Sequence, residues 1–211
     1  AHFDFAVINT CTVTQVASQK SRQHIRQLRS LNPRAIIVVT GCYVTLNHER
    51  IVKECGADIV VGINERKKIP QLLKKYKNQV IVKASSLKEL RIKAAYEELG
   101  VHPYTERTRA YVKISDGCNN FCSYCIIPFV RGRLRSRSPQ AIFKEIAALL
   151  KMGYQEIVLT GIDTTSYGQE YDNYHFSNLL EDILKQFLSN TILLTMQLHC
   201  HNNNMMSYLQ Q

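Results

Sequence analysis

Short apolar runs alternate along the first third of the chain with segments whose apolar positions recur at helical spacing. Residues 5–10 (FAVINT), 35–40 (AIIVVT) and 58–61 (DIVV) have the length and β-branched content of buried strands. Between the first two, 14–31 carries Val16, Lys20, Ile25, Leu28 and Leu31 in a helix-like pattern that Asn32-Pro33 stops. A helix is predicted over 46–55, closed by Gly56, and another over 66–77. The order βαβαβα predicts a parallel sheet covered by helices, an α/β fold.

The pattern restarts further along. Residues 78–108 are more charged and less regular, with a short strand at 79–83 and a helix near 87–98, and read as a connection between domains. A strand at 109–115 (RAYVKIS) precedes a cysteine-rich loop. Ser138-Pro139 then opens a helix to about 152, which Gly153 stops. A strand at 156–160 leads into Gly161, and a helix covers about 176–188. This second βαβα pattern is like the opening of a β/α barrel. Domains are therefore expected at 1–77 and 109–211, joined by 78–108. From Ser189 onward no Asp, Glu, Lys or Arg occurs, and only 191–198 reads as a further strand.

The composition, 45% hydrophobic and 21% charged, is that of a globular chain. Lys and Arg number 27 against 17 Asp and Glu, a formal net charge of +10. That excess suits an anionic partner, nucleic acid first, and equally a merely well-solvated basic surface. The opening residues lack the pattern of a signal peptide, and no apolar run reaches the roughly 18 residues of a membrane span. The expected setting is cytoplasmic, with no membrane partner. Seven cysteines in such a setting point to metal or catalysis rather than to disulfides.

Three of them, Cys118, Cys122 and Cys125, follow a C-x3-C-x2-C spacing within DGCNNFCSYC. Three thiolates on one loop can hold three irons of a cubane cluster and leave the fourth open to a small molecule. Zinc is the competing reading, but it usually wants a fourth Cys or His close in sequence, and none is there. Phe121 and Tyr124 would shield a cluster from water. Cys11 and Cys42 each follow a strand in adjacent βα units, so both thiols should emerge at the carboxyl edge of one sheet, where open α/β sheets bind ligands. Cys55, before Gly56, reads as packing.

The string DGCNNFCSYCIIPFVRGRLRSR resembles the methylthiotransferases of the radical S-adenosylmethionine (SAM) superfamily. INTCTVT at 8–14, VTGCYV at 39–44 and VVGINERKKIPQLL at 60–73 resemble that family's N-terminal domain. The resemblance implies that Cys118, Cys122 and Cys125 ligate a [4Fe-4S] cluster whose open iron binds SAM. It implies a second, auxiliary [4Fe-4S] cluster on Cys11 and Cys42, whose third family ligand lies in a segment upstream of the opening strand. Thr160, Gly161 and Asp163 correspond to a segment beside SAM and, with Tyr124, are candidate cofactor contacts. The implied reaction inserts a methylthio group at an unactivated C–H bond. It uses SAM both as methyl donor and as radical source, with electrons from a donor such as a flavodoxin or ferredoxin. Relative to the family, the chain is expected to be truncated at both ends.

Arg131, Arg133, Arg135 and Arg137 alternate in RGRLRSR, and an extended backbone would put all four on one side. Such a face suits an anion, phosphate or the SAM carboxylate, or else it is a solvated edge. The R-x-R-S-R ending resembles the bacterial-type branch that modifies C2 of N6-threonylcarbamoyladenosine, next to the anticodon of tRNA. The isopentenyladenosine branch, the ribosomal-protein branch and a non-catalytic iron–sulfur or zinc nucleic-acid-binding protein stay open. Arg22, Arg26 and Arg29 form a basic stripe on the first helix, either a solvated face or a tRNA contact.

Overall fold

The computed structural model describes residues 3–77, 79–83, 95–100, 109–187 and 193–196. The chain divides into two compact units, residues 1–99 with 120–132, and residues 100–119 with 133–211. The stretch 120–132, which the sequence pattern places inside the second segment, thus groups with the first unit.

The first unit is a four-stranded parallel sheet, β1 (Phe5–Thr10), β2 (Ile36–Gly41), β3 (Ile59–Val61) and β4 (Ile81–Lys83), in that spatial order. Helices α1 (Gln15–Leu31) and α2 (Cys42–Cys55) connect the first three strands, and a 3-10 turn at Arg66–Lys68 leads into α3 (Ile69–Lys75). Alternation along β2 explains the layering. Ile37 and Val39 pack with Ile25, Tyr43, Val44 and Ile51, whereas Val38 packs with Ile59, Val61 and the α3 residues Ile69, Leu72 and Leu73. A short helix, α4 (Ile127–Val130), belongs to this unit as well.

Local chemistry sets the ends of these elements. Thr14 caps α1 by accepting from the Ala17 amide, and the Asn32 amide closes it on the Leu28 carbonyl. Arg29, in the last turn, donates to the carbonyls of Pro33, Ala35 and Gly56 and pairs with Asp58, itself the acceptor for the Ile37 amide. Arg22 donates to the Tyr43 hydroxyl at 3.0 Å and Arg26 to the Glu54 carbonyl. The basic stripe of α1 is therefore engaged in binding α2 and the strand starts.

Two boundaries differ from the sequence pattern. The second helix starts at Cys42, four residues earlier than expected, and bends at Asn47, where φ is −138° and ψ 29°. Tyr43, Val44 and Thr45 have poor intrinsic helix propensity, but all three are buried, and packing overrides propensity. The helix read at 66–77 is divided into the 3-10 turn and α3, with Pro70 in its first turn. Most of the helix read at 87–98 lies outside the described residues, and 95–98 are not helical.

The second unit holds a parallel sheet of β5 (Arg109–Lys113), β8 (Glu156–Thr160) and β9 (Leu193–Met196), with β8 central. A two-residue antiparallel pair joins β6 (Ser115–Asp116) to β7 (Arg135–Ser136). Helix α5 (Pro139–Lys151) is capped by Ser138, and α6 (Phe176–Phe187) follows β8. Ile142, Ile146, Leu149, Leu179 and Ile183 from these helices meet Val112, Ile157 and Leu159 in one core. The expected strand 109–115 is broken at Ile114. Its amide bonds the Thr160 carbonyl, while its own carbonyl accepts from the Arg137 amide, so the chain changes partners there.

Gly41 ends β2 at φ +100°, and a Cβ there would lie 2.2 Å from the Thr10 carbonyl oxygen and 2.6 Å from the Thr10 nitrogen. Neither distance is tolerable, and both atoms are backbone. Gly41→Ala should cost at least about 2 kcal/mol of unfolding free energy, measured by urea denaturation. A variant as stable as the parent would show that the strand ends do not need this approach.

Candidate functional site

The register of the first sheet pairs Thr10 with Gly41, so the next residue of each strand, Cys11 and Cys42, leaves the carboxyl edge from adjacent strands. Cys11 is exposed and Cys42 is 2% exposed. The Cys11 backbone is held by Ser21 of α1, whose hydroxyl accepts from the Cys11 amide and lies 3.2 Å from its carbonyl. Thr12 and Ser18 hydroxyls pair at 2.9 Å one turn earlier. Beside this edge the Thr10 hydroxyl donates to the Thr40 carbonyl, while Thr40 Oγ1 is buried without a partner. Cys55 is buried at the far end of α2, where burial pushes its thiol pKa up, as packing requires.

Of the triplet, Cys118 falls in the second unit, and Cys122 and Cys125 in the first. Cys118 is buried and lies with its sulfur 3.7 Å from Asp163 Oδ2. Cys122 and Cys125 are half-buried and joined by a turn in which the Cys125 amide donates to the Cys122 carbonyl at 2.9 Å. Two residues with left-handed backbone flank these positions, Gly117 at φ 75° and Phe121 at φ 47°. For Phe121 that conformation is strained. Its ring meets Phe129 edge-on at 5.7 Å, and Tyr124 is 72% exposed with its side chain hydrogen-bonded to Cys122.

Among the described residues no three His, Cys, Asp or Glu side chains converge into a metal-holding group. The donor set still fits an iron–sulfur cluster in kind and number. Three thiols occur within eight consecutive positions. At the sheet edge, two cysteines that follow paired strand ends would supply part of such a site.

The arginine run does not form one face. Arg131 is half-buried and donates from Nε to Cys42 Sγ at 3.2 Å. Arg133 is exposed. Arg135 is buried within 3.8 Å of Asp116, which also takes Lys113 at 2.7 Å, and Arg137 is buried in an ion pair with Glu145. The regular alternation expected of a strand fails because β7 is two residues long and is enclosed by the loop after β8. Within that loop Glu170 accepts from the Ser136 amide and hydroxyl, the Gly168 amide donates to Ser136 Oγ, and Tyr171 donates to the Ser136 carbonyl. Tyr167, 1% exposed, donates to the Arg137 carbonyl at 2.7 Å.

Thr160 and Gly161 end β8. A Cβ on Gly161 would lie 2.3 Å from Ser115 Oγ, so the close approach of the two segments requires glycine. Asp163 is buried and accepts from Thr165 Oγ1, the Ser166 amide and Ser166 Oγ. Next to it Thr164 Oγ1 is buried without a partner. The residues missed from sequence are the polar supports: Ser21, Ser115, Asp116, Ser166 and Glu170. Only the D-T-T-S turn at 163–166 carried a local signal, an Asx-type pattern.

Two family models match separate stretches of the chain. Residues 1–62 match the uncharacterized protein family UPF0004, and 112–198 match the radical SAM superfamily. The class is thus a radical SAM protein with an N-terminal α/β domain, for which a [4Fe-4S] cluster and SAM are the implied cofactors. Over 182 residues, 85% of this chain and 40% of the relative, it is 46% identical to the threonylcarbamoyladenosine tRNA methylthiotransferase MtaB of Bacillus subtilis. It is 37% identical over 191 residues to the tRNA-2-methylthio-N(6)-dimethylallyladenosine synthase of Clostridium novyi, covering 86% of this chain and 41% of that protein. The chain belongs to the radical SAM methylthiotransferase family. It spans about 40% of the length of the relatives it matches. Its fold is similar to that of the radical SAM methyltransferase TsrM of Kitasatospora setae, with a TM-score of 0.59 at 14% identity, over 90% of this chain and 42% of that one.

Burial, helped by Tyr171, Tyr174 and Glu170, pushes the Tyr167 hydroxyl well above its ordinary value. A raised folded-state pKa means that the stability it contributes is complete below the unfolded tyrosine value, about 10, and is lost as pH rises beyond it. Tyr167→Phe should therefore destabilise by about 1 kcal/mol at pH 8, from the lost bond to Arg137. It should also lose less stability than the parent between pH 9 and 11. Parallel urea titrations decide this, and equal alkaline losses would refute it.

Proposed function

We propose that the protein to which this chain belongs is a tRNA methylthiotransferase that adds a methylthio group to C2 of N6-threonylcarbamoyladenosine beside the anticodon. The observation that carries this reading is the pair of cysteine groups, Cys118, Cys122 and Cys125 on one loop and Cys11 with Cys42 at one sheet edge, in a chain 46% identical to a relative named for that reaction. The first group would ligate the SAM-binding [4Fe-4S] cluster and the second an auxiliary one. When bound, the reduced cluster supplies the electron that cleaves the sulfonium of SAM.

The chain's own residues then have distinct tasks. Ser21 holds the Cys11 backbone and so fixes the direction in which that thiol leaves the sheet. Gly161 keeps the β8 end thin, and the buried hydroxyl of Thr164 offers a bond to a polar cofactor group there. Thr160, Asp163 and the exposed ring of Tyr124 are the further candidate contacts to SAM. Arg133, exposed, is the member of the arginine run suited to meet a phosphate. Arg135 and Arg137 serve the fold, since carboxylates of the protein already face them. The electron donor would be a flavodoxin or ferredoxin and the setting the cytoplasm, in keeping with the fact that no helix among the described residues is long and apolar enough to cross a membrane.

Anaerobic reconstitution with iron and sulfide should load about four irons on the triplet. Cys122→Ala should lose them together with all reductive cleavage of SAM. Retention of full iron by that variant would refute the ligand assignment. The substrate is tested by expressing the protein in a strain lacking the modification and analysing its tRNA nucleosides by mass spectrometry. The methylthio form of N6-threonylcarbamoyladenosine is expected. The methylthio form of isopentenyladenosine in its place would assign the other branch.

Binding of tRNA should weaken steeply with salt, as phosphate contacts require. Arg133→Ala should weaken it by roughly tenfold at 0.1 M salt, in line with the loss of one bound charge. An unchanged affinity in a filter-binding assay would make Arg133 a solvated residue only.

A further inference from the structure

The arginine run and the sheet-edge cysteines are separated by about 90 positions in sequence, yet in the first unit they meet. Arg131 directs its Nε–H at Cys42 Sγ, 3.2 Å away. One residue earlier, the Val130 carbonyl accepts from Thr45 Oγ1, also at 3.2 Å. The Arg131 amide itself closes α4 on the Ile127 carbonyl at 2.8 Å. The end of α4 is thus fastened to the first turn of α2 twice, once through backbone and once through a charged side chain.

The choice of partner is informative. Arg135 and Arg137 face carboxylates, and Arg131 donates to a sulfur. A neutral thiol is a weak acceptor, and a thiol that merely packs has no use for a guanidinium. A sulfur that bears negative charge, as a metal-bound cysteine does, gains a charge-assisted bond from that donor. Cys42 is 2% exposed, so water cannot supply the same stabilisation. The segment that Arg131 terminates also carries Cys122 and Cys125, and it groups with the unit that carries Cys11 and Cys42.

We infer that Arg131 is a positioning residue that links the two cysteine groups. Its bond to Cys42 pins residues 120–132 onto the sheet edge, and its charge sits against the sulfur that Cys42 presents to a metal. The first part stands on geometry alone; the second rests on the reading of Cys11 and Cys42 as cluster ligands. A hydrogen bond to a cluster-ligating sulfur stabilises the more negative, reduced state and so raises the reduction potential. Arg131 therefore makes the sheet-edge cluster easier to reduce. Lysine in its place would keep the charge but not the fixed fork that aims Nε at the sulfur.

The pin is tested in the metal-free full chain by hydrogen exchange with mass-spectrometric detection on the parent, Arg131→Gln, Cys42→Ala and the double variant. The reporters are the amides of Phe129, Val130 and Arg131, each bonded within α4 or its preceding residue. Arg131→Gln should speed their exchange about tenfold, and the double variant should exchange no faster than the faster single one, because both remove one interaction. Additive effects, or no effect of Arg131→Gln, would overturn the pin.

The charge effect is tested in a background where Cys118, Cys122 and Cys125 are all replaced by Ala. That background, in a form extended upstream to carry the family's third cysteine ligand, is reconstituted anaerobically with iron and sulfide and titrated potentiometrically with EPR detection. Arg131→Gln should move the midpoint to a more negative potential, and Arg131→Lys should restore part of the shift. Equal midpoints at equal iron content would overturn this part. Coupled exchange with no iron retained by any variant would instead refute the cluster reading of Cys11 and Cys42, and the charge effect with it, leaving the pin established.

Discussion

The candidate chemistry of the first unit depends on how closely two strands can end beside each other. Thr10 and Gly41 are register partners, and the Thr10 backbone occupies the volume that a side chain on residue 41 would need. That contact makes the next residues, Cys11 and Cys42, neighbours at the sheet edge. The Thr10 hydroxyl crosses to the Thr40 carbonyl, and Ser21 grips the Cys11 backbone from α1. The two thiols are therefore placed by main-chain geometry and short polar side chains, which lose little entropy on ordering.

The layered sheet was legible because its strands are short, continuous apolar runs between helical patterns, as at Ile36–Val39 and Ile59–Val61. The cysteine positions were legible through their spacing and their place after strands. What escaped was chemistry between segments distant in sequence. The start of α2 runs against the propensities of Tyr43, Val44 and Thr45 and is set by their burial. The arginine alternation suggested one cationic face, but a two-residue strand cannot sustain a period of two. The carboxylates that neutralise Arg135 and Arg137, Asp116 and Glu145, lie in other local patterns. No periodicity along the chain could have paired Arg131 with Cys42.

The second unit shows how a buried polar network can substitute for regular structure. Strand β7 has only two residues, so few ladder bonds are available to it. The loop after β8 supplies the remainder, with Glu170, Gly168 and Tyr171 all bonded to Ser136 and Tyr167 to Arg137. Because these groups are shielded from water, every member must be satisfied, and losing one exposes the cost of the others. The buried arginines Arg135 and Arg137 are faced by Asp116 and Glu145, so these pairs leave the net charge of +10 to groups elsewhere.

Arg29 holds the opposite edge of the first sheet. It gathers the carbonyls of Pro33, Ala35 and Gly56 and the carboxylate of Asp58, next to the starts of β2 and β3. The clamp thus lies at the amino edge and Cys11 and Cys42 at the carboxyl edge, on the two ends of the same strands. In evolutionary terms the two can drift independently. Residues around the cysteines can be exchanged while the amino-edge clamp keeps the strands in line, much as a tool keeps its handle when its blade is changed.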